Sequence, residues 1–173
     1  ILMRFFLILK FIKIIIFEFV IKIFSHLHFL IKFNSYPKLS CEIRQIKNLI
    51  IGRDFTMQSN CKILAEGNNG ESIVIGNRVA INYNVMINAN CKGKIEIKNN
   101  VIIGPNTIIR ASNHNFNNVD QLIRDQGHKG GKILINDDVW VGANVTILPN
   151  VKIGKSSIIG AGSVVSKNIP EYS

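Results

Sequence analysis

The sequence predicts an all-β solenoid, and three observations predict it. Residues 135–170 divide into consecutive blocks of six without a slip. Each block opens with an aliphatic: Ile135, Val141, Ile147, Ile153, Ile159 and Val165. Each fifth position is Val, Ser or Ile, and Gly, Asn, Asp, Pro and Lys recur between them. A fixed short period of this kind marks stacked units, each one short strand and one turn. The opening aliphatic points into the core, and the fifth residue points in near a corner. Gly and Asn accept the positive φ that tight corners need. The strands of a β-sandwich do not keep phase over such a stretch.

The same register extends backwards through Ile51, Met57, Ile63, Asn69, Ile75, Ile81 and Ile87. Its fifth positions are Phe55, Cys61, Gly67, Ile73, Val79, Val85 and Cys91. The Asn69 block is the weakest and is expected to bulge. Residues 91–96 carry a short insertion before phase resumes at Ile97, Ile103 and Ile109. The next start in phase is Ile135, so residues 115–132 form a long excursion from the stack. A loop of that length in a compact repeat protein is usually functional. Its Phe116, Leu122 and Ile123 suggest an ordered arm that packs on something. Cys61 and Cys91 read as small core fillers. Three cysteines without metal-type spacing argue against a disulfide framework and for a reducing compartment.

Charge and hydropathy divide the chain at residue 47. The net charge is +10, and residues 1–47 hold eight basic and two acidic side chains. The remaining positive charge is spread too thinly for a nucleic-acid stripe, so no nucleic-acid partner is expected. Residues 1–33 are dominated by Ile, Leu and Phe, interrupted by Arg4, Lys10, Lys13, Glu18, Lys22 and Lys32. No uncharged run reaches the ~18 residues of a clean membrane span. At 100° per residue the charges gather on one side, which predicts a basic amphipathic helix in one or two pieces. Two roles stay open for residues 1–33: peripheral contact with an anionic membrane, or a cap on the first coil. One helix can serve both. The expected domains are thus 1–47, a basic hydrophobic helical segment, and 48–173, the solenoid.

Residues 75–170 resemble the hexapeptide-repeat acyltransferases, which fold as left-handed parallel β-helices. The resemblance is closest to the sugar O-acetyltransferases of galactoside, maltose, capsule and O-antigen type. It rests on Ile81-Asn82-Tyr83-Asn84, Ser112-Asn113-His114-Asn115-Phe116 before the long loop, Asp138-Val139-Trp140-Val141-Gly142-Ala143 after it, and Ile159 to Pro170. The handedness comes from the resemblance alone. So do the roles that follow. His114 matches the catalytic base. Asn82 matches a contact to the acceptor sugar, and Asn90 falls where galactoside enzymes carry an acidic one. His128, read from its place in the loop and not from the resemblance, is a second acid/base, a substrate contact or a plain loop residue. Trp140, Gly142, Ala143, Gly160, Ala161, Ser166 and Lys167 match the acetyl-CoA groove, with an oxyanion donor on the Gly142–Ala143 coil.

The implied activity is transfer of an acetyl group from acetyl-CoA to a sugar hydroxyl, in capsular, exopolysaccharide or O-antigen biosynthesis. No metal is required. The implied assembly is a homotrimer, and the implied location is the cytoplasm, including the inner face of the membrane. An imidazole suits the task, because a hydroxyl must lose its proton as it attacks the thioester. Asn113 stands where many relatives have Asp. Relatives also continue past Ser173 with a further turn, which leads one to expect a fragment or a weakened coenzyme site. An antibiotic acetyltransferase and a catalytically impaired structural β-helix are the competing readings.

Overall fold

The computed structural model describes residues 2–33, 38, 40–67, 70 and 72–173. A helix, Leu2–Phe33, precedes a parallel β-helix. Short strands stack into three faces. Face one comprises Glu42–Arg44, Lys62–Leu64, Met86–Asn88, Ile108–Arg110, Thr146–Ile147 and Val164–Val165. Face two comprises Leu49–Ile51, Ile73–Ile75, Lys94–Ile97, Lys132–Ile135 and Lys152–Ile153. Face three comprises Thr56–Met57, Ala80–Ile81, Ile102–Ile103, Trp140–Val141 and Ile158–Ile159. The first coil starts at Glu42, ahead of the expected boundary at residue 48.

The hexad register becomes three columns of like side chains. On face three Met57 stands beside Ile81, Ile81 beside Ile103, Ile103 beside Val141, and Val141 beside Ile159. All five are buried. Exchanging one such Ile for Ala costs about 2–5 kcal/mol, because stacked coils collapse poorly around a cavity. The fifth positions fill the corners with Val79, Val101, Val139, Val85 and Val145. Asn60, Asn84, Asn106 and Asn144 occupy the left-handed region at successive turns of one corner, with φ between 56° and 61°. Asn tolerates that conformation better than most residues. A second corner is laced by side chains. Asn77 Oδ1 accepts from Arg53 N–H, Asn99 Oδ1 from Asn77 N–H, and Asp137 Oδ1 from Asn99 N–H, each at 2.9 Å.

Coil length is uneven, and the excess collects at one edge. Ile51 pairs with Ile75, Ile75 with Ile97, Ile97 with Ile135, and Ile135 with Ile153. Only the last step is three plain hexads. Each longer coil takes its extra residues at the corner from face one to face two. These follow Leu64, Asn88 and Arg110 in turn. The weak Asn69 block falls in the first of these, and Asn69 itself lies outside the described residues. The second places Cys91 and Lys92 in the left-handed region at φ 52° and 65°. Cys91 is therefore a half-exposed turn residue, not a core filler. Its place in the core is taken by Ala89, which is buried.

The third insertion is the arm. It is bounded by Ser112–His114 and His128–Gly130, which pair antiparallel, so it opens before residue 115. Asn115 N–H donates to Gly127 O at 3.0 Å, and Gln126 binds Asn118 and Gln121 across the tip. At its root Gly131 N–H donates to Ala111 O, and Gly131 O accepts from Lys94 N–H. The helix is a single piece. His26 and Phe29 are buried against the first coil, and the Phe29 ring centroid lies 6.4 Å from that of Phe55. Its last turns thus cover the open end of the core.

Candidate active site

His114 is held on a strand, not on a loose loop. Its register partner across the arm is His128, and the two ring centroids lie 3.9 Å apart at 41°. Both side chains are exposed. His114 borders a cleft of about 230 Å³ between the arm and the next coil, with Asn113, Phe116, Lys129, Pro149 and Asn150 around it. The arm's root is fixed from below. Ser112 is buried, and its Oγ donates to Asn90 Oδ1 at 2.5 Å. Asn90 N–H in turn donates to Asn88 Oδ1 at 3.1 Å. Asn90 therefore anchors the strand that carries His114. Asn82 sits on the neighbouring corner, where its Oδ1 accepts from Tyr83 N–H at 2.9 Å.

The expected coenzyme residues fall along face three and the last coil. Trp140 is half-exposed between Ile102 and Ile158, its register partners on face three. Gly160, Ser166 and Lys167 line a second cleft of about 390 Å³ with Ile158, Ser163 and Val164. Ala161 is exposed beside it. Gly142 is buried, and its N–H donates to Ile159 O at 2.9 Å, so it is spent within the stack. Among the described residues nothing accepts from Ala143 N–H, which makes Ala143 the available donor on that coil. A Cβ on Gly142 would stand 2.7 Å from Ala161 N, so the close stacking of these coils requires glycine there.

The sequence pattern did not single out Thr107. It occupies a fifth position where neighbouring coils place Val85 and Val145, and it is fully buried. Its Oγ1 donates to Gly142 O at 3.0 Å, pinning the peptide that leads to Ala143. A hydroxyl between Val85 and Val145 at the same position of the neighbouring coils was the available signal. Ser112 and the Pro149–Asn150 rim were likewise missed. The two clefts share no lining residue within one chain. Among the described residues no three His, Cys, Asp or Glu side chains gather as a metal site.

The fold and the repeat define the class. Residues 132–167 match the model of the bacterial transferase hexapeptide (six repeats). Galactoside O-acetyltransferase of Lactococcus lactis is 37% identical over 103 residues, covering 59% of this chain and 47% of the relative. Galactoside O-acetyltransferase of Escherichia coli is 37% identical over 102 residues, covering 58% and 48%. The chain spans about half the length of these curated relatives. A crystal structure of a maltose O-acetyltransferase from Clostridium difficile aligns with a TM-score of 0.60 at 31% identity, over 72% of this chain and 63% of the other. A hexapeptide-repeat acetyltransferase of Vibrio cholerae, solved with acetyl coenzyme A, aligns with a TM-score of 0.52 at 28% identity, over 76% and 63%. The chain carries the hexapeptide repeat and the β-helix of these acetyltransferases.

Proposed function

We propose that the protein moves an acetyl group from acetyl-CoA to a sugar hydroxyl, with His114 as general base. The observation that carries this reading is the position of His114. Its backbone is pinned in an antiparallel pair at the arm's root, while its side chain borders an open cleft. The similarity to galactoside and maltose acetyltransferases supports a sugar acceptor. The finer reading is an acceptor from capsular, exopolysaccharide or O-antigen biosynthesis.

In this reaction the acceptor oxygen attacks the thioester carbonyl as the imidazole takes its proton. Ala143 N–H stabilises the oxyanion. The carbon–sulfur bond then breaks, and the imidazolium returns the proton to the thiolate. Ser166 and Lys167, exposed on the second cleft, are placed to bind the coenzyme's polar groups.

The same reading makes the active unit a homotrimer with sites between subunits. Its support is that the clefts of His114 and Lys167 share no residue in one chain. The arm tip also leaves Phe116, Val119, Leu122 and Ile123 exposed, and face three leaves Ile102, Trp140 and Ile158 half-exposed. Burial of such surface drives association. Thiol release from acetyl-CoA against a panel of sugars and glycans tests the activity. Release with at least one glycan, lost in His114→Ala, is expected. Light scattering at three chain masses is expected for the active species, and a monomer that turns over would refute the shared site.

A further inference from the structure

The helix buries only a narrow side, His26 and Phe29, against the protein and leaves a broad apolar surface outward. Glu18 and His26 line a cleft of about 440 Å³ against the first coil, together with Ser40, Glu42 and Arg44. His26 Nε2 lies 3.1 Å from Lys38 O, and Phe29 is fully buried in the core. At 100° per residue Glu18, His26 and Phe29 fall in one arc. The opposite arc holds Ile16, Val20, Phe24, Leu27 and Ile31, which are 41–75% exposed, with Lys13 also exposed among them. A helix of a soluble domain points its apolar stripe at the core. This one buries Phe29 and leaves most of its apolar surface exposed.

We propose that the outer arc is seated in the surface of an anionic phospholipid bilayer, with the solenoid resting on the His26 and Phe29 side of the helix. Width separates a bilayer from a second protein chain. Phe17, Phe19, Val20, Ile23 and Phe24 are all exposed, a broader surface than the two-in-seven seam through which helices pair. Charge points the same way. The helix sequence holds Arg4, Lys10, Lys13, Lys22 and Lys32 against Glu18 alone. Two such helices repel each other, whereas anionic headgroups attract them.

Contact with the first coil makes the helix lie flat. Ile12–Ile31 has the length and the mean hydropathy, 2.0, of a membrane span. Crossing would carry Glu18 and His26 away from their neighbours and into hydrocarbon, which is costly for ionisable groups.

The test is flotation of the full chain with vesicles, and it needs no assay of acetyl transfer. Vesicles of phosphatidylglycerol and phosphatidylcholine are expected to carry the protein upward, vesicles of phosphatidylcholine alone much less. Raising salt to ~1 M, where the Debye length falls to ~3 Å, is expected to weaken binding. The double variant Phe17→Gln/Phe24→Gln lies away from the first coil. It is expected to keep the parent's melting temperature and lose roughly tenfold or more of vesicle affinity. The proposal fails if the full chain stays at the bottom of the gradient. It also fails if the double variant floats as well as the parent, or changes subunit mass without changing flotation.

Discussion

His114 and His128 face each other across the two strands of the arm, with ring centroids 3.9 Å apart. This contact sets the orientation of the His114 ring above the cleft. Replacing His114 by Ala is expected to lower transfer by about 10²–10⁴-fold, the usual share of a general base. Folding and coenzyme binding are expected to survive, because His114 is exposed. For His128 the expected split is between shape and chemistry. His128→Phe, which keeps a ring in place, should stay within a few-fold of the parent, while His128→Ala should fall further. Equal, large losses in both would mean that the second imidazole itself handles the proton. Single-turnover rates of the three variants decide this.

Thr107 links the core to the expected oxyanion site. Its hydroxyl is the buried group that holds Gly142 O, one residue before Ala143. Thr107→Val preserves shape and matches Val85 and Val145 on the neighbouring coils. It is expected to cost about 1–3 kcal/mol of stability, because Gly142 O and Val145 N–H both lose their buried partner. If Ala143 N–H serves the transition state, kcat is expected to fall while the KM for acetyl-CoA changes little. Urea unfolding and steady-state kinetics on the same variant separate the two effects.

The repeat was legible because its period is a physical constraint repeated many times. Every opening aliphatic from Ile75 to Val165 is buried where the hexads placed it. Legibility failed where the coil departs from three hexads. Cys91 looked like a fifth position only if the turn were ignored, and its left-handed φ takes it out of the core. The arm was expected from residue 115. Nothing in Ser112-Asn113-His114 announces a strand, since its partner lies beyond a long loop. The helix was legible as a helix, and its charge pattern left a cap on the first coil and a membrane contact equally open. The side chains that meet the protein are His26 and Phe29, with Glu18 at the edge of the cleft beside them.

The cysteines offer a simple check on that corner. Cys61 donates to Asn82 O at 2.9 Å, and its hydrogen bond with Cys41 and its burial together push its thiol well above the ordinary range. Cys41 is buried as well, whereas Cys91 is half-exposed at the foot of the arm. A thiolate is the reactive form. The native protein is therefore expected to consume one equivalent of a thiol reagent, at Cys91, and three after unfolding. Fast labelling of Cys61 in the native state would contradict the packing described for the first coils.

Two carboxylates, Asp137 and Glu96, make the solenoid sensitive to acid. Asp137 is held below its ordinary value of 3.8, chiefly by the hydrogen bond from Asn99 N–H and then by the Asn99 side chain. Glu96 is held below 4.5 by Lys98 first and Lys132 after it, against some burial. A carboxylate whose folded value is depressed stabilises the fold fully above its unfolded value. That stabilisation declines as pH falls through the folded value and is absent below it. Melting temperature is therefore expected to drop as pH is lowered from about 5 towards 3. Asp137→Asn keeps an acceptor for Asn99 N–H but removes the ionisation. It is expected to flatten this acid slope by losing at neutral pH the stabilisation that the ionised carboxylate supplies there, so that parent and variant converge towards pH 3. Asp137→Ala leaves the Asn99 N–H without its partner and is expected to lose about 1 kcal/mol at every pH. Thermal melts of the parent and both variants, at steps between pH 3 and 8, distinguish the lost charge from the lost hydrogen bond. An Asn variant as acid-labile as the parent would shift the cause to Glu96.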